Sequence, residues 1–100
     1  MASAFWTSLA ETELEEILRY IREEGQRPET SRRLGVEIRD AADEHVRRRL
    51  PGGRNPTLPE GWHYLKHKRW LITYVSIGDD IIIQRIVDAT RNLPDQFPSE

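Results

Sequence analysis

The stretch that decides the fold is residues 61–93, GWHYLKHKRWLITYVSIGDDIIIQRIVDATRNL. Aromatic and β-branched residues form three runs in it, and short polar corners separate the runs, which is typical of strands joined by turns. Connections this short exclude a parallel crossover, so the three strands must be antiparallel. We therefore predict strands at Trp62–Leu65, Trp70–Val75 and Ile81–Val87, with turns at Lys66–Arg69 and Ser76–Asp80.

The third strand carries a polar residue on each face. Strict alternation divides its residues into two sets, Ile81, Ile83, Arg85 and Val87 against Ile82, Gln84, Ile86 and Asp88. A lone arginine among aliphatic residues needs a partner, so Arg85 is predicted either to pair with an acid of the first helix or to face a partner protein. The sheet is expected to bury one register of the second strand together with Ile83 or Ile86: either Trp70, Ile72 and Tyr74, or Leu71 and Thr73.

Two amphipathic helices precede this sheet. Ser8–Glu11 has the spacing of a capping box, so we predict a first helix over Leu9–Glu24, with Gly25 as its stop. A second helix is predicted over about Glu29–Arg49. The short link between them makes an antiparallel hairpin. Apolar residues recur at helical spacing on both: Leu14, Ile17, Leu18 and Ile21 on the first, and Leu34, Ile38, Ala41, Ala42, His45 and Leu50 on the second.

The remaining segments complete one domain over residues 1–100. Phe5–Thr7 is β-prone and is expected to add a strand to the sheet. Asn92–Glu100 reads as a tail in which Pro94 and Pro98 prevent a helix. The predicted fold is thus α+β, in the order β-α-α-β-β-β, with the helical hairpin packed on one face of an antiparallel sheet.

Composition limits the function. The net charge is −2 and the mean hydropathy is −0.70, and the sequence shows neither a membrane span nor a signal peptide. The absence of cysteine excludes disulfides, thiol nucleophiles and Cys-based zinc sites, and fits a cytoplasmic protein. A weakly acidic total argues against broad nucleic-acid binding, although Lys66, Lys68 and Arg69 form a local basic corner.

The three histidines do not suggest a metal site. They lack the His-Glu-x-x-His spacing, so we predict no metal and no cofactor. His45 is predicted to be a partly buried helix residue that faces the sheet. Lys66, His67 and Lys68 are predicted to form an exposed turn that protects the sheet from edge pairing.

Several pieces of the sequence recur together in one known family. They are the acidic helix Glu13–Ile21 ending in Tyr20-Ile21, then Lys68-Arg69-Trp70 with Ile72–Val75, Asp80-Ile81 with Arg85–Val87, and Arg91–Pro94. In this order and at this spacing they resemble the ParE/RelE superfamily of bacterial toxins from type II toxin–antitoxin systems. The similarity is closest to the ParE-like branch, often called plasmid stabilisation proteins.

The resemblance implies a cytoplasmic toxin that inhibits DNA gyrase through protein contacts and is neutralised by a cognate antitoxin. It leans away from an enzyme and implies no cofactor. The antitoxin is expected to lie across the sheet face that the helical hairpin leaves open. In this interpretation Arg69, Arg85 and Arg91 contact the target.

The resemblance also implies an alternative, a RelE-type ribosome-dependent mRNA endonuclease whose partners are the ribosome and mRNA. In such an enzyme the phosphate of the mRNA at the cleavage site would be stabilised by Lys66, Lys68, Arg69 and Arg91. His63 or His67 would move the proton of the 2′-hydroxyl group. Arg69 and Arg91 match the two arginine positions of that branch, but its lysine positions fall near Glu60 and Trp62. Asp88-Ala89 stands where the superfamily often has His-Gly. A degenerate member without toxicity is the third interpretation.

Overall fold

The computed structural model describes residues 1–91 and 93–97. A helical hairpin packs on one face of a four-stranded sheet, so the predicted α+β fold and its order β-α-α-β-β-β are confirmed. The elements are β1 (Ala4–Trp6), α1 (Ser8–Glu23), α2 (Pro28–Arg47), β2 (His63–His67), β3 (Trp70–Ile77), β4 (Asp80–Asp88) and α3 (Leu93–Gln96).

The sheet is mixed rather than wholly antiparallel. Its strand order is β1-β4-β3-β2, and β2, β3 and β4 form the predicted antiparallel meander. β1 pairs with β4 in parallel, with Phe5 opposite Ile82. The helical hairpin joins β1 to the meander, and it supplies the long crossover that parallel pairing requires.

The turn between β3 and β4 is shorter than the sequence suggested. Ser76, Ile77 and Asp80 belong to the strands, which leaves Gly78 and Asp79 as the turn. Gly78 has a φ of 60°, and this left-handed conformation, which glycine adopts without strain, allows a two-residue connection.

Helix α1 is capped by Thr7, so the prediction of Ser8 as the cap was wrong. The Thr7 hydroxyl oxygen accepts a hydrogen bond from the Ala10 N–H at 3.1 Å. Thr7 is still extended because its own N–H donates to the Ile83 carbonyl of β4 at 3.1 Å. The last residue of the β1 extension is therefore also the helix cap, and Ser8 is already helical.

The core lies between the hairpin and the sheet. It contains most of the predicted residues: Leu14, Leu34, Ile38, Ala42, Ile72, Tyr74, Ile83 and Ile86. Other predicted residues are partly buried against it: Ile17, Leu18, Ile21 and Trp70. Leu50 is exposed, contrary to its predicted place in the stripe, because α2 ends at Arg47.

A β-bulge explains why Ile83 and Ile86 are both in the core. Thr73 pairs with Arg85 and Tyr74 pairs with Ile83, so Gln84 is an extra residue in β4. The extra residue reverses the alternation beyond it, which returns Ile86 to the face of Ile83. The strict alternation predicted for this strand was therefore wrong after Ile83.

The opposite face of the sheet is covered in part by the chain after β4. Gln96 donates through Nε2 to the Asp88 carbonyl at 3.0 Å, and the Phe97 ring meets Trp62 edge-on at 6.1 Å. These residues follow or lie in α3, so a helix exists where none was predicted. Pro94 is the second residue of α3 and is tolerated in a first turn, where its missing N–H breaks no helical hydrogen bond. Pro98 lies outside the described residues.

No helix in the described part of the chain combines the length and the apolar character that crossing a membrane requires.

We predict that Ile38→Ala lowers the free energy of unfolding by about 2–5 kcal/mol, because a fully buried side chain leaves a cavity. Val36→Ala is the matched control on the same helix, since Val36 is 52% exposed. Chemical denaturation of both variants measures the difference. Equal stability of Ile38→Ala and Val36→Ala would show that the buried face of α2 has been assigned incorrectly.

Candidate functional site

Two of the predicted target-contacting arginines meet at one carboxylate. Arg69, in the turn before β3, donates through Nη2 to Oδ2 of Asp88, the last residue of β4. Arg91 Nε lies 3.8 Å from the same oxygen. Register brings the turn and the strand end together, because Trp70 pairs with Asp88. We call Arg69, Asp88, Thr90 and Arg91 the arginine corner.

Thr90 holds the carboxylate of the corner from the other side. Its N–H and its hydroxyl both donate to Asp88 Oδ1, at 2.9 and 2.6 Å. The hydrogen bond from Arg69, with those from Thr90, lowers the pKa of Asp88 to about 2. Asp88 is therefore an anion at any physiological pH.

Arg85 lies in a separate cluster. Its Nη2 donates to Glu13 Oε2 of α1 at 2.6 Å, which confirms the prediction that it pairs with an acid of the first helix. Its Nη1 donates to the Gln96 carbonyl, and its guanidinium lies 5.1 Å from the centre of the Phe97 ring. Arg85 thus connects α1 and β4 with the end of α3 and with Phe97.

The end of β2 and the turn that follows it are anchored to α2. His67 Nε2 lies 2.8 Å from Glu37 Oε1, and Lys68 Nζ lies 3.1 Å from the same oxygen. These two partners lower the pKa of Glu37. Lys66 and His67 belong to β2, so the prediction that the strand ends at Leu65 and that Lys66–Arg69 form the turn was wrong, and the turn consists of Lys68 and Arg69. Lys66 is exposed on β2, which is the edge strand of the sheet, whereas His67 is partly buried.

His45 and His63 flank Tyr74. His45 is buried, as predicted for a helix residue facing the sheet, and its Nε2 lies 2.7 Å from the Tyr74 hydroxyl. The ring centres of His63 and Tyr74 are 5.9 Å apart, and Nδ1 of His63 is buried without a hydrogen-bond partner in the described residues. Residues 1–91 and 93–97 contain no group of three or more His, Asp or Glu side chains that could hold a metal ion.

The six residues of the ribonuclease interpretation are thus distributed over four places. Arg69 and Arg91 lie in the arginine corner. His67 and Lys68 lie on Glu37, and His63 packs on Tyr74. Lys66 alternates with His67 and points to the opposite face of β2. The hydrogen bonds of the described residues join neither histidine to Arg69 or Arg91.

An apolar strip crosses the sheet face opposite the hairpin. Phe5 pairs with Ile82 and Ile82 pairs with Val75, so the three side chains lie side by side on β1, β4 and β3. Ile77 follows two residues after Val75 on the same face. Phe5 is 55% exposed and Ile77 58% exposed. We call these four residues the apolar strip.

Comparison with known proteins identifies the family. The model of the ParE toxin of type II toxin–antitoxin systems, parDE, matches residues 4–93. This chain belongs to the ParE toxin family. The resemblance found in the sequence is therefore confirmed at the level of a ParE-like type II toxin.

A solved structure described as the chromosomal ParDE TA system from P. aeruginosa has the same fold as this ParE-family chain. The two align with a TM-score of 0.68 and 24% sequence identity, over 88% of this chain and 96% of the other. The search of curated proteins gave no match.

Sequence reasoning chose the cations of this ParE-family toxin but did not identify their acids by position, apart from the prediction that Arg85 pairs with an acid of the first helix. Asp88, Glu13 and Glu37 each hold one or two of the chosen residues, but the partners are 19 or more positions apart in the chain for Arg69, Arg85 and His67. One signal was available for Asp88. It stands in a strand among aliphatic residues, where an unpaired carboxylate is costly.

The buried His45 makes stability depend on pH. Burial lowers the pKa of His45 below 6.5 in the folded state. The contribution of the neutral imidazole to the free energy of unfolding is therefore fully present above pH 6.5, and it is lost as the pH falls through the pKa of the folded state. We predict that the melting temperature of the wild type falls more between pH 7.5 and pH 5.5 than that of His45→Gln. Differential scanning calorimetry at both pH values tests this. Parallel pH profiles of the two proteins would contradict the assignment.

Proposed function

We propose that this chain is a toxin that inhibits DNA gyrase through protein contacts, and that a cognate antitoxin neutralises it in the cytoplasm. Membership of the ParE toxin family supports the general role. The observation that favours a binding toxin over a ribonuclease is that its arginines are paired with carboxylates. Arg69, Arg85 and Arg91 each lie against a largely buried carboxylate, and neither candidate histidine is hydrogen-bonded to them within the described residues.

This arrangement suits recognition of a protein better than cleavage of RNA. General acid–base catalysis requires a group within about 2.6–3.2 Å of the proton that it moves, directly or through one water. The two candidate histidines are engaged elsewhere, His67 with Glu37 and His63 with Tyr74. Exposed arginines held by a partly buried partner are common anchors of protein interfaces, because little side-chain freedom is lost on binding.

The antitoxin is proposed to cover the apolar strip. A row of apolar side chains across three strands is the complement of one face of an amphipathic helix. The outer members of the row, Phe5 and Ile77, are more than half exposed, so binding would remove substantial apolar area from water. Gyrase and antitoxin would then use different surfaces, the arginine clusters and the strip.

We predict that Arg91→Glu abolishes growth arrest on induction and inhibition of gyrase supercoiling by the purified protein, because it turns an attractive contact repulsive. His63→Ala and His67→Ala are expected to leave both activities nearly intact. Arg33→Glu, an exposed charge reversal on α2, is the matched control.

Circular dichroism of each variant separates unfolding from lost function. A histidine variant that folds normally but loses both toxicity and cellular mRNA cleavage would replace the gyrase proposal by the ribonuclease. A wild-type protein that neither arrests growth nor inhibits gyrase would favour a non-toxic member of the family.

The second prediction concerns neutralisation. Phe5→Ser combined with Ile77→Ser should weaken binding of the antitoxin by at least about tenfold, since each buried apolar side chain contributes about 1.5–3 kcal/mol. The probe is the product of the short reading frame next to the toxin gene, in calorimetry and in rescue of growth. Val36→Ser is the control, with an exposed fraction of 52% on α2. If the double variant bound the antitoxin as tightly as the wild type, the apolar strip would be excluded as the antitoxin-binding surface.

A further inference from the structure

In the arginine corner the carboxylate of Asp88 is buried, and the guanidinium groups of Arg69 and Arg91 lie over it on the solvent side. The Asp88 side chain is 8% exposed, whereas Arg69 is 54% and Arg91 76% exposed. The N–H of Ala89 donates to the Arg69 carbonyl at 2.7 Å, so the backbone fixes the carboxylate under the two guanidinium groups. The arrangement is buried and hydrogen-bonded at its base and open to solvent at its top.

The oxygens of Asp88 are divided between the two sides of the corner. Oδ1 accepts both hydrogen bonds of Thr90, and Oδ2 faces Arg69 and Arg91. Among the described residues, the side-chain hydrogen bonds of Arg69 use Nη2 alone. Its Nε and Nη1 donate no hydrogen bond within the described residues and can donate to an acceptor of a partner, and its guanidinium lies 5.3 Å from the centre of the Trp70 ring.

The buried carboxylate also decides what the corner can bind. An arginine pair without an acid is a good phosphate site, because two guanidinium groups can share the oxygens of one phosphate. Here Asp88 Oδ2 already occupies the space between them, and one of the two positive charges is compensated. Affinity for nucleic acid depends on several uncompensated cations that displace counterions, and this chain has a net charge of −2.

We propose that Asp88 is a specificity-determining residue, which positions Arg69 and Arg91 for a carboxylate of a protein target and denies the corner to the phosphates of RNA. This inference rests on the proposed function as a binding toxin. A single carboxylate at a protein interface can use the outer N–H groups of Arg69 and the remaining positive charge. A nucleic-acid strand brings a phosphate at every nucleotide. It cannot gain enough binding free energy at a corner where one of the two positive charges is already compensated.

The inference is tested by removing the negative charge while keeping the shape. Asp88→Asn retains an oxygen that can accept from Thr90. Asp79→Asn is the matched control, because it changes the net charge equally at an exposed acid in the β3–β4 turn. The probe is a fluorescein-labelled 20-nucleotide oligouridylate, titrated by fluorescence anisotropy at 50 and 200 mM NaCl.

Asp88→Asn is expected to bind this RNA at least about tenfold more tightly than the wild type at 50 mM NaCl. Its salt dependence should steepen by about 0.7 in log K against log salt for each phosphate gained. Asp79→Asn should behave as the wild type. Equal RNA affinities of Asp88→Asn and Asp79→Asn would overturn the inference, as would a wild type that binds RNA as tightly as Asp88→Asn.

Two further measurements keep the test decisive. If melting curves show that Asp88→Asn does not fold, Asp88→Ser removes the same charge and keeps a hydroxyl acceptor. If that variant also fails, wild type and Arg69→Gln are compared: equal RNA affinities support the inference, and clearly tighter binding by the wild type contradicts it. None of these readouts contains gyrase, so failure of the gyrase proposal in the supercoiling assay is distinguishable from failure here.

Discussion

The Glu13 carboxylate holds the three parts of this fold together. Strand β1 covers β4 only from Ile81 to Ile83, which leaves the later N–H groups of β4 without a neighbouring strand on that side. Glu13, one turn into α1, accepts the Ile86 N–H at 3.1 Å and binds Arg85 through both of its oxygens. Arg85 in turn holds the Gln96 carbonyl beyond the sheet. One acid thus completes the sheet edge, anchors the first helix and links both to the C-terminal segment.

This link explains why the bulge in β4 is tolerated. The extra residue Gln84 interrupts the ladder with β3, and its carbonyl accepts the Thr7 hydroxyl instead of a strand partner. The N-terminus of α1 therefore supplies two side chains, Thr7 and Glu13, where a strand would have supplied backbone groups. Buried backbone groups must be satisfied somewhere, and here the helix does it. The bulge also turns Arg85 away from the helix-facing core, where its charge would be costly.

The sequence predicted what depends on local periodicity. Apolar spacing placed both helices, and β-branched runs placed the three strands of the meander within a few residues. Three features escaped because they depend on contacts distant in the chain. The parallel pairing of β1, the cap at Thr7 and the bulge at Gln84 all arise where residues 4–13 meet residues 81–86. The residue pattern of one segment does not indicate which distant segment of the chain it will contact.

The candidate site was predicted incompletely for a related reason. Arginines and lysines are conspicuous in sequence, whereas acids such as Glu13 and Glu37 look like ordinary members of solvated helix faces. Only the fold shows which acids are partly buried. The burial of the acid in an ion pair decides which electrostatic field the pair produces at the protein surface. The Arg69–Asp88 pair is neutral in sum, but its acid lies under the surface and its base on it. A partner in solvent therefore meets positive charge first, even though the chain as a whole is weakly acidic. Net charge, the quantity most easily read from composition, says little about a site built in this layered way.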